Sequence, residues 1–168
     1  DRDDGTMVGS CSTAGRYGTA LAIYEGADEL FLLQTSSSSS YRKIVGFSTS
    51  NLATNGKSIS YGSGVSSWYY SQDIDVDEST GDVYIVYREY QGRLRAYERG
   101  TDGSYCASSS CYTQVYTGAR YTTSVDVHED YVYTAGYYYS SWYGGMKKMP
   151  TSSLSSITTL WSYFTQGT

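Results

Sequence analysis

Residues able to do chemistry are densest in the stretch DIDVDESTGDVYIVY, Asp73 to Tyr87. Asp75, Asp77, Glu78 and Asp82 offer hard carboxylate oxygens, the ligand type that Ca2+ takes. An EF-hand loop sets carboxylates at alternate positions, then Gly, then a distant Glu, and that order is absent here. The competing reading is a tight turn between two alternating strands, with Thr80-Gly81 supplying the positive φ such a turn needs. The corresponding stretches YEGADE (24–29) and HED (128–130) stay acidic without a fixed ligand spacing, which favours the turn.

His128 is the single histidine, beside Glu129 and near Asp126. A histidine–carboxylate pair can act as acid and base, but His128 falls in a turn after VDV, where exposure is the ordinary state. The two asparagines, Asn51 and Asn55, sit in an outer-strand connection, away from any such pair. G-x-S-x-G and phosphate-loop motifs are missing, so no catalytic residue is expected. Cys106 and Cys111 bracket the loop ASSS. C-x4-C with one histidine is a poor zinc site, and a local disulfide is the expectation. Cys11 is then left as a buried small hydrophobe or a bond to another chain.

Two aromatic clusters offer contact surface. YYYSSWYGG (137–145) carries Tyr137, Tyr138, Tyr139, Trp142 and Tyr143, and SSWYY (66–70) carries Trp68, Tyr69 and Tyr70. Tyr and Trp anchor protein interfaces and stack on sugars. The plainer reading is cross-strand packing in a hairpin.

The elements that must position these groups are strands. Tyr occurs 21 times and Pro once, and no long helix-forming window is present, so an all-β domain follows. No run of about 18 apolar residues signals a membrane span. The formal net charge of −5 opposes a phosphate-backbone binder, so nucleic acid is not an expected partner. Arg88, Arg93, Arg95 and Arg99 cluster among Glu89 and Glu98 and read as the solvated face of a strand pair. The opening DRDDG shows no signal peptide and suits a mature chain, for which an extracellular or secreted setting is expected.

The chain repeats. IDVDESTGDVYIVY (74–87), VDVHEDYVYTAG (125–136) and LAIYEGADELFLL (21–33) share the order strand, acidic turn, strand. Ile44, Leu94 and Met146 align, as do Phe47, Tyr97 and Met149. TSNL (49–52) matches TSSL (151–154) two periods on, which sets the repeat at about 51 residues. A last short strand follows each time: SISY (58–61), TQVY (113–116) and LWSY (160–163). Four short strands per repeat, paired as consecutive hairpins, describe a β-propeller blade. A β-sandwich does not predict the same order three times. The expected division is an N-terminal segment 1–18 holding a strand of a preceding blade, blade 1 at 19–71, blade 2 at 72–121, and blade 3 with a tail at 122–168.

DIDVDESTGDVYIVYREYQGRLRAYERG resembles a blade of the NHL and YWTD-like six-bladed propellers, and VDVHEDYVYTAGYYYSSWYGGMKKMP follows the same pattern more loosely. The matching places are Ile74 to Asp77, Gly81, Val83 to Ile85, Gly92-Arg93, and Leu94 with Tyr97. The resemblance implies a ring of blades around a channel and no one activity.

The expectation is a non-enzymatic extracellular propeller module that binds protein or builds an assembly, without a cofactor unless Ca2+ is held by the acidic turn. The alternatives are a secreted metal-assisted lyase or lactonase, or a carbohydrate-binding propeller using exposed Tyr and Trp. Three blades do not close a ring, so a second copy or another propeller half is the expected partner, with residues 6–8 (TMV) completing a blade and Cys11 beside the junction. Ile74, Val76, Val83, Ile85, Leu94, Val125, Val127 and Val132 are the expected core.

Overall fold

The computed structural model describes residues 17–35, 42–61, 71–87, 92–105, 111–119, 121–137 and 144–161. Among them are three four-stranded antiparallel sheets, each a meander in chain order. The first holds β1 (Tyr17–Tyr24), β2 (Glu29–Thr35), β3 (Lys43–Ser48) and β4 (Thr54–Ser60). The second holds β5 (Ser71–Val76), β6 (Val83–Tyr87), β7 (Arg93–Tyr97) and β8 (Thr113–Tyr116). The third holds β9 (Tyr121–His128), β10 (Tyr131–Tyr137), β11 (Gly144–Pro150) and β12 (Thr158–Trp161). A 3-10 turn, Glu25–Ala27, joins β1 to β2. No helix among the described residues is long and apolar enough to cross a membrane. β4 starts four residues before the expected SISY, at Thr54, so Asn55 lies on the strand itself rather than in a connection.

The ladders of the three sheets coincide. Ile23, Leu30 and Phe47 stand across one another in the first sheet. Val76, Val83 and Tyr97 do so in the second, and Val127, Val132 and Met149 in the third. The first strands lie side by side, β1 against β5 and β5 against β9, so the sheets stack face to face as propeller blades.

Two cores result. Ala22, Tyr24, Phe31, Leu33 and Ile44 of the first sheet meet Ile74, Val76, Val83, Ile85 and Tyr97 of the second. Tyr84, Val86, Leu94 and Ala96, on the other face of the second sheet, meet Val125, Val132, Met149 and Leu154. A strand in a middle sheet is covered on both faces, and every residue of β6 is buried. β10 has one covered face, and its burial is intermittent.

Of the expected core, Ile74, Val76, Val83, Ile85, Leu94, Val125 and Val132 are buried, while Val127 is partly exposed. Met146 takes the ladder place of Ile44 and Leu94, yet is 41% exposed, because it lies on the outward face of the third sheet. The arginines are a larger correction. Arg95 is not on a solvated face: it is 1% exposed, with its guanidinium 4.0 Å from the Tyr112 ring centroid and 4.9 Å from that of Tyr87. It donates to the Tyr61 carbonyl and to Gln114 Oε1, both at 2.9 Å. Arg99 reaches the buried Glu29 of the first sheet at 3.4 Å, and Lys57 pairs with the same carboxylate. Planar guanidinium groups tolerate burial when stacked and bonded in this way. Arg88 lies outside the described residues.

Candidate interaction surface

The strand order gives the stack two ends. At one end stand the turns β1–β2, β5–β6 and β9–β10, which carry the acidic residues. At the other end lie the β6–β7 turn, the β8–β9 connection and the ends of β8 and β10, with Tyr87, Tyr116, Tyr121 and Tyr137.

The acidic turn of the second sheet is built around Asp77. Its Oδ1 accepts the Ser79 N–H at 2.8 Å, the Ser79 hydroxyl at 2.6 Å and the Thr80 N–H at 3.3 Å. Its carbonyl accepts the Gly81 N–H at 2.7 Å, and Gly81 has φ +78°, the left-handed conformation expected of DESTGD. Asp28 (φ 56°) and Glu129 (φ 51°) reach the same region in the two sister turns. Asp82 Oδ1 accepts the Arg99 N–H at 2.8 Å, and Glu78 Oε2 accepts the Glu25 N–H of the first sheet at 3.2 Å.

Asp75 belongs to a different device. Its Oδ2 accepts the Val127 N–H of β9 at 2.5 Å, and Asp73 Oδ2 accepts the Val125 N–H at 3.1 Å. The two carboxylates tie the second sheet to the third. Burial holds the Asp75 carboxyl above its ordinary value; the Val127 and Val76 N–H groups oppose that, and the charges of Asp126 and Asp73 add to it. Asp73 was not singled out by its sequence, because only the packed neighbour 52 residues away shows what it binds. The four weak metal candidates thus accept hydrogen bonds at four different places: Asp77 within its turn, Asp82 from Arg99, Glu78 from the first sheet and Asp75 from the third. Groups of three or more His, Cys, Asp or Glu able to hold a metal ion are absent among the described residues.

His128 is exposed, with Nε2 3.9 Å from Glu129 Oε1. At the aromatic end, Tyr137 pairs with Tyr121, ring centroids 5.1 Å apart. Tyr116 is 49% exposed, and the Arg93 guanidinium lies 4.9 Å from its ring centroid. Neither Tyr116 nor Arg93 was among the expected binding residues; Tyr116 sits at the last place of β8, a short strand with no aromatic run to signal it. The other expected binding residues, Trp68, Tyr69, Tyr70, Tyr138, Tyr139, Trp142 and Tyr143, lie outside the described residues. Cys111 is disulfide-bonded, while Cys11, Cys106 and the segment 6–8 also lie outside them.

No family model matches this chain, and no curated protein matches it. Among solved structures, a chain from a crystal structure of a nidogen/laminin complex matches at a TM-score of 0.61 and 10% identity. The match covers 88% of this chain and 49% of that one, so the chain spans about half the length of its structural neighbour. At this identity the likeness carries the fold: the three sheets are β-propeller blades.

Proposed function

We propose that the chain is a non-enzymatic, extracellular β-propeller module that binds protein, its ring completed by another copy or another propeller half. One observation carries the reading: the blades are similar to those of a chain solved within a protein–protein complex, that of nidogen with laminin. The aromatic end supports it. A half-exposed Tyr116 backed by the Arg93 guanidinium is an aromatic–arginine pair of the kind that anchors interfaces. The disulfide at Cys111 supports an oxidising, extracellular setting. Its partner under this reading is Cys106, across the loop ASSS; non-reducing peptide mapping should give a 106–111 linked peptide, and an 11–111 link would refute the pairing.

The function is tested with immobilised chain and extracellular fluid. A captured protein is identified by mass spectrometry and then titrated in pure form. Tyr116→Ala and Arg93→Ala should each weaken it at least about tenfold, as anchor truncations of more than about 1.4 kcal/mol do. Binding to a glycan array that free sugar competes away would favour carbohydrate recognition instead. Turnover of a lactone or uronide that a chelator abolishes would favour the enzyme reading.

A further inference from the structure

The contact between the second and third sheets is a template for one more contact of the same kind. In it, Asp73 and Asp75 of β5 accept the N–H groups of Val125 and Val127 of β9. Beside that backbone contact, Tyr84, Val86 and Leu94 pack on Val125, Val132 and Met149. The ladders say which residues hold these places in the sheets at either end of the stack.

On the outward face of the third sheet, Ser124 and Asp126 stand where β5 has Asp73 and Asp75. Tyr133, Ala135 and Met146 stand where the second sheet has Tyr84, Val86 and Leu94. They line a hollow of about 380 Å³ together with His128. Lys148 replaces Ala96, and its ammonium lies 3.5 Å from the Tyr131 ring centroid. On the first sheet, Leu21 and Ile23 hold the places of Val125 and Val127, and Leu30 and Phe47 those of Val132 and Met149. Both halves of a further contact are therefore present on this one chain, facing outward from its two end sheets. Leu21 is 60% exposed and Met146 41%, where their equivalents Val125 and Leu94 are buried, and Ile23 is 48% exposed, where Val127 is partly covered.

We propose that the outward face of the third sheet takes strand β1 of a second copy of this chain, with Asp126 accepting the Ile23 N–H and the Ser124 hydroxyl accepting the Leu21 N–H. The proposal rests on the propeller reading and names the residues that complete the ring. A second copy is the occupant because the complementary face is this chain's own. A two-fold arrangement satisfies both end sheets at once and leaves no third copy to recruit, giving a closed ring of six sheets, three from each copy. Val125 and Val127 show that aliphatic residues at the Leu21 and Ile23 places fit such a face. Asp126 takes over from Asp75 as the acceptor, and Tyr133 repeats Tyr84 at the base of the contact.

Sedimentation equilibrium of the 168-residue chain tests this. The expected mass is twice the 18.6 kDa of one chain. Asp126→Lys and Ile23→Glu each place an unpaired charge in the contact and should weaken the dimer about 100-fold or more. Both positions are on an outward face, so circular dichroism should show each variant folded. Mixing the two variants should restore a dimer, because one contact then pairs the introduced lysine with the introduced glutamate and the other is wild type; nonspecific association would not depend on the pairing. A wild-type monomer at all concentrations would overturn the proposal, as would a dimer indifferent to both substitutions, or a mixture that stays monomeric. The partner titration with Tyr116→Ala reads β8 of the second sheet, which has no part in the proposed contact, so it can succeed or fail independently of this result.

Discussion

Asp75→Ala removes the acceptor for the Val127 N–H in the contact between the second and third sheets. A hydrogen bond to a charged group contributes about 1.5–3 kcal/mol, and a buried donor left without an acceptor costs about 1–3 kcal/mol. Burial of the carboxylate works in the other direction, so the expected net loss at neutral pH is about 2 kcal/mol. For a chain of 168 residues that is a fall in Tm of roughly 4–8 °C. Asp75→Asn separates charge from hydrogen bonding, since it keeps an acceptor and carries no charge. Burial holds the Asp75 carboxyl above its ordinary value, so the folded chain binds that proton more tightly than the unfolded chain does. The stability this group contributes is full below the unfolded value and is lost as pH rises through the folded one. Asparagine has no such slope. The Asn variant should therefore gain on the wild type as pH rises from the ordinary carboxylate value, about 4, through the raised folded one. Urea unfolding followed by circular dichroism at a series of pH values measures the difference. If the Asn variant loses ground as pH rises, the carboxylate's hydrogen bonds outweigh its burial and the reasoning fails. If Asp75→Ala is neutral throughout, Asp75 does not tie the two sheets together.

Leu94→Ala, at a fully buried place between the second and third sheets, should cost about 2–5 kcal/mol by urea unfolding. Gly92→Ala should be worse than a surface change by more than about 2 kcal/mol, because φ is +58° and a Cβ would lie 2.0 Å from the Ala119 carbonyl oxygen. An unchanged Tm would mean that the turn between β6 and β7 relaxes freely. Alkaline pH should unfold the chain from about pH 10 upward. Burial raises the hydroxyls of Tyr84, Tyr87, Tyr97 and Tyr105, the last to about 12, so their stabilisation is intact below the ordinary tyrosine value and is lost as pH rises through the folded values. Tyr105 alone, raised from 10.0 to about 12, accounts for about 3 kcal/mol of this. Absorbance of ionised tyrosine should appear together with loss of circular dichroism; ionisation of these side chains without unfolding would refute the burial.

The sequence by itself determined the strands, their turns and their repetition. Alternation in DIDV and VYIVY is a matter of neighbouring residues, and a strand exposes its two faces at a period of two whatever lies beyond. The turn at Asp77–Asp82 closes through its own side chains and a glycine at positive φ, so six residues suffice to specify it. Comparing three such stretches set the repeat, and the repeat set the blades. Which face of each blade is covered was decided only by the tertiary structure. Leu94 and Met146 hold one ladder place and are equally apolar, yet one is buried and the other exposed, because only the second sheet has a neighbour on that side. Arg95 has the local surroundings of a surface residue in RLRAY, and the rings of Tyr87 and Tyr112 with the Tyr61 carbonyl offset the cost of its burial. Asp73 and Asp75 look like part of an acidic loop until β9 arrives with two backbone N–H groups from 52 residues away. Periodicity and turn chemistry act within a few residues and are written locally, whereas covering a face or satisfying a buried charge depends on elements a whole repeat apart.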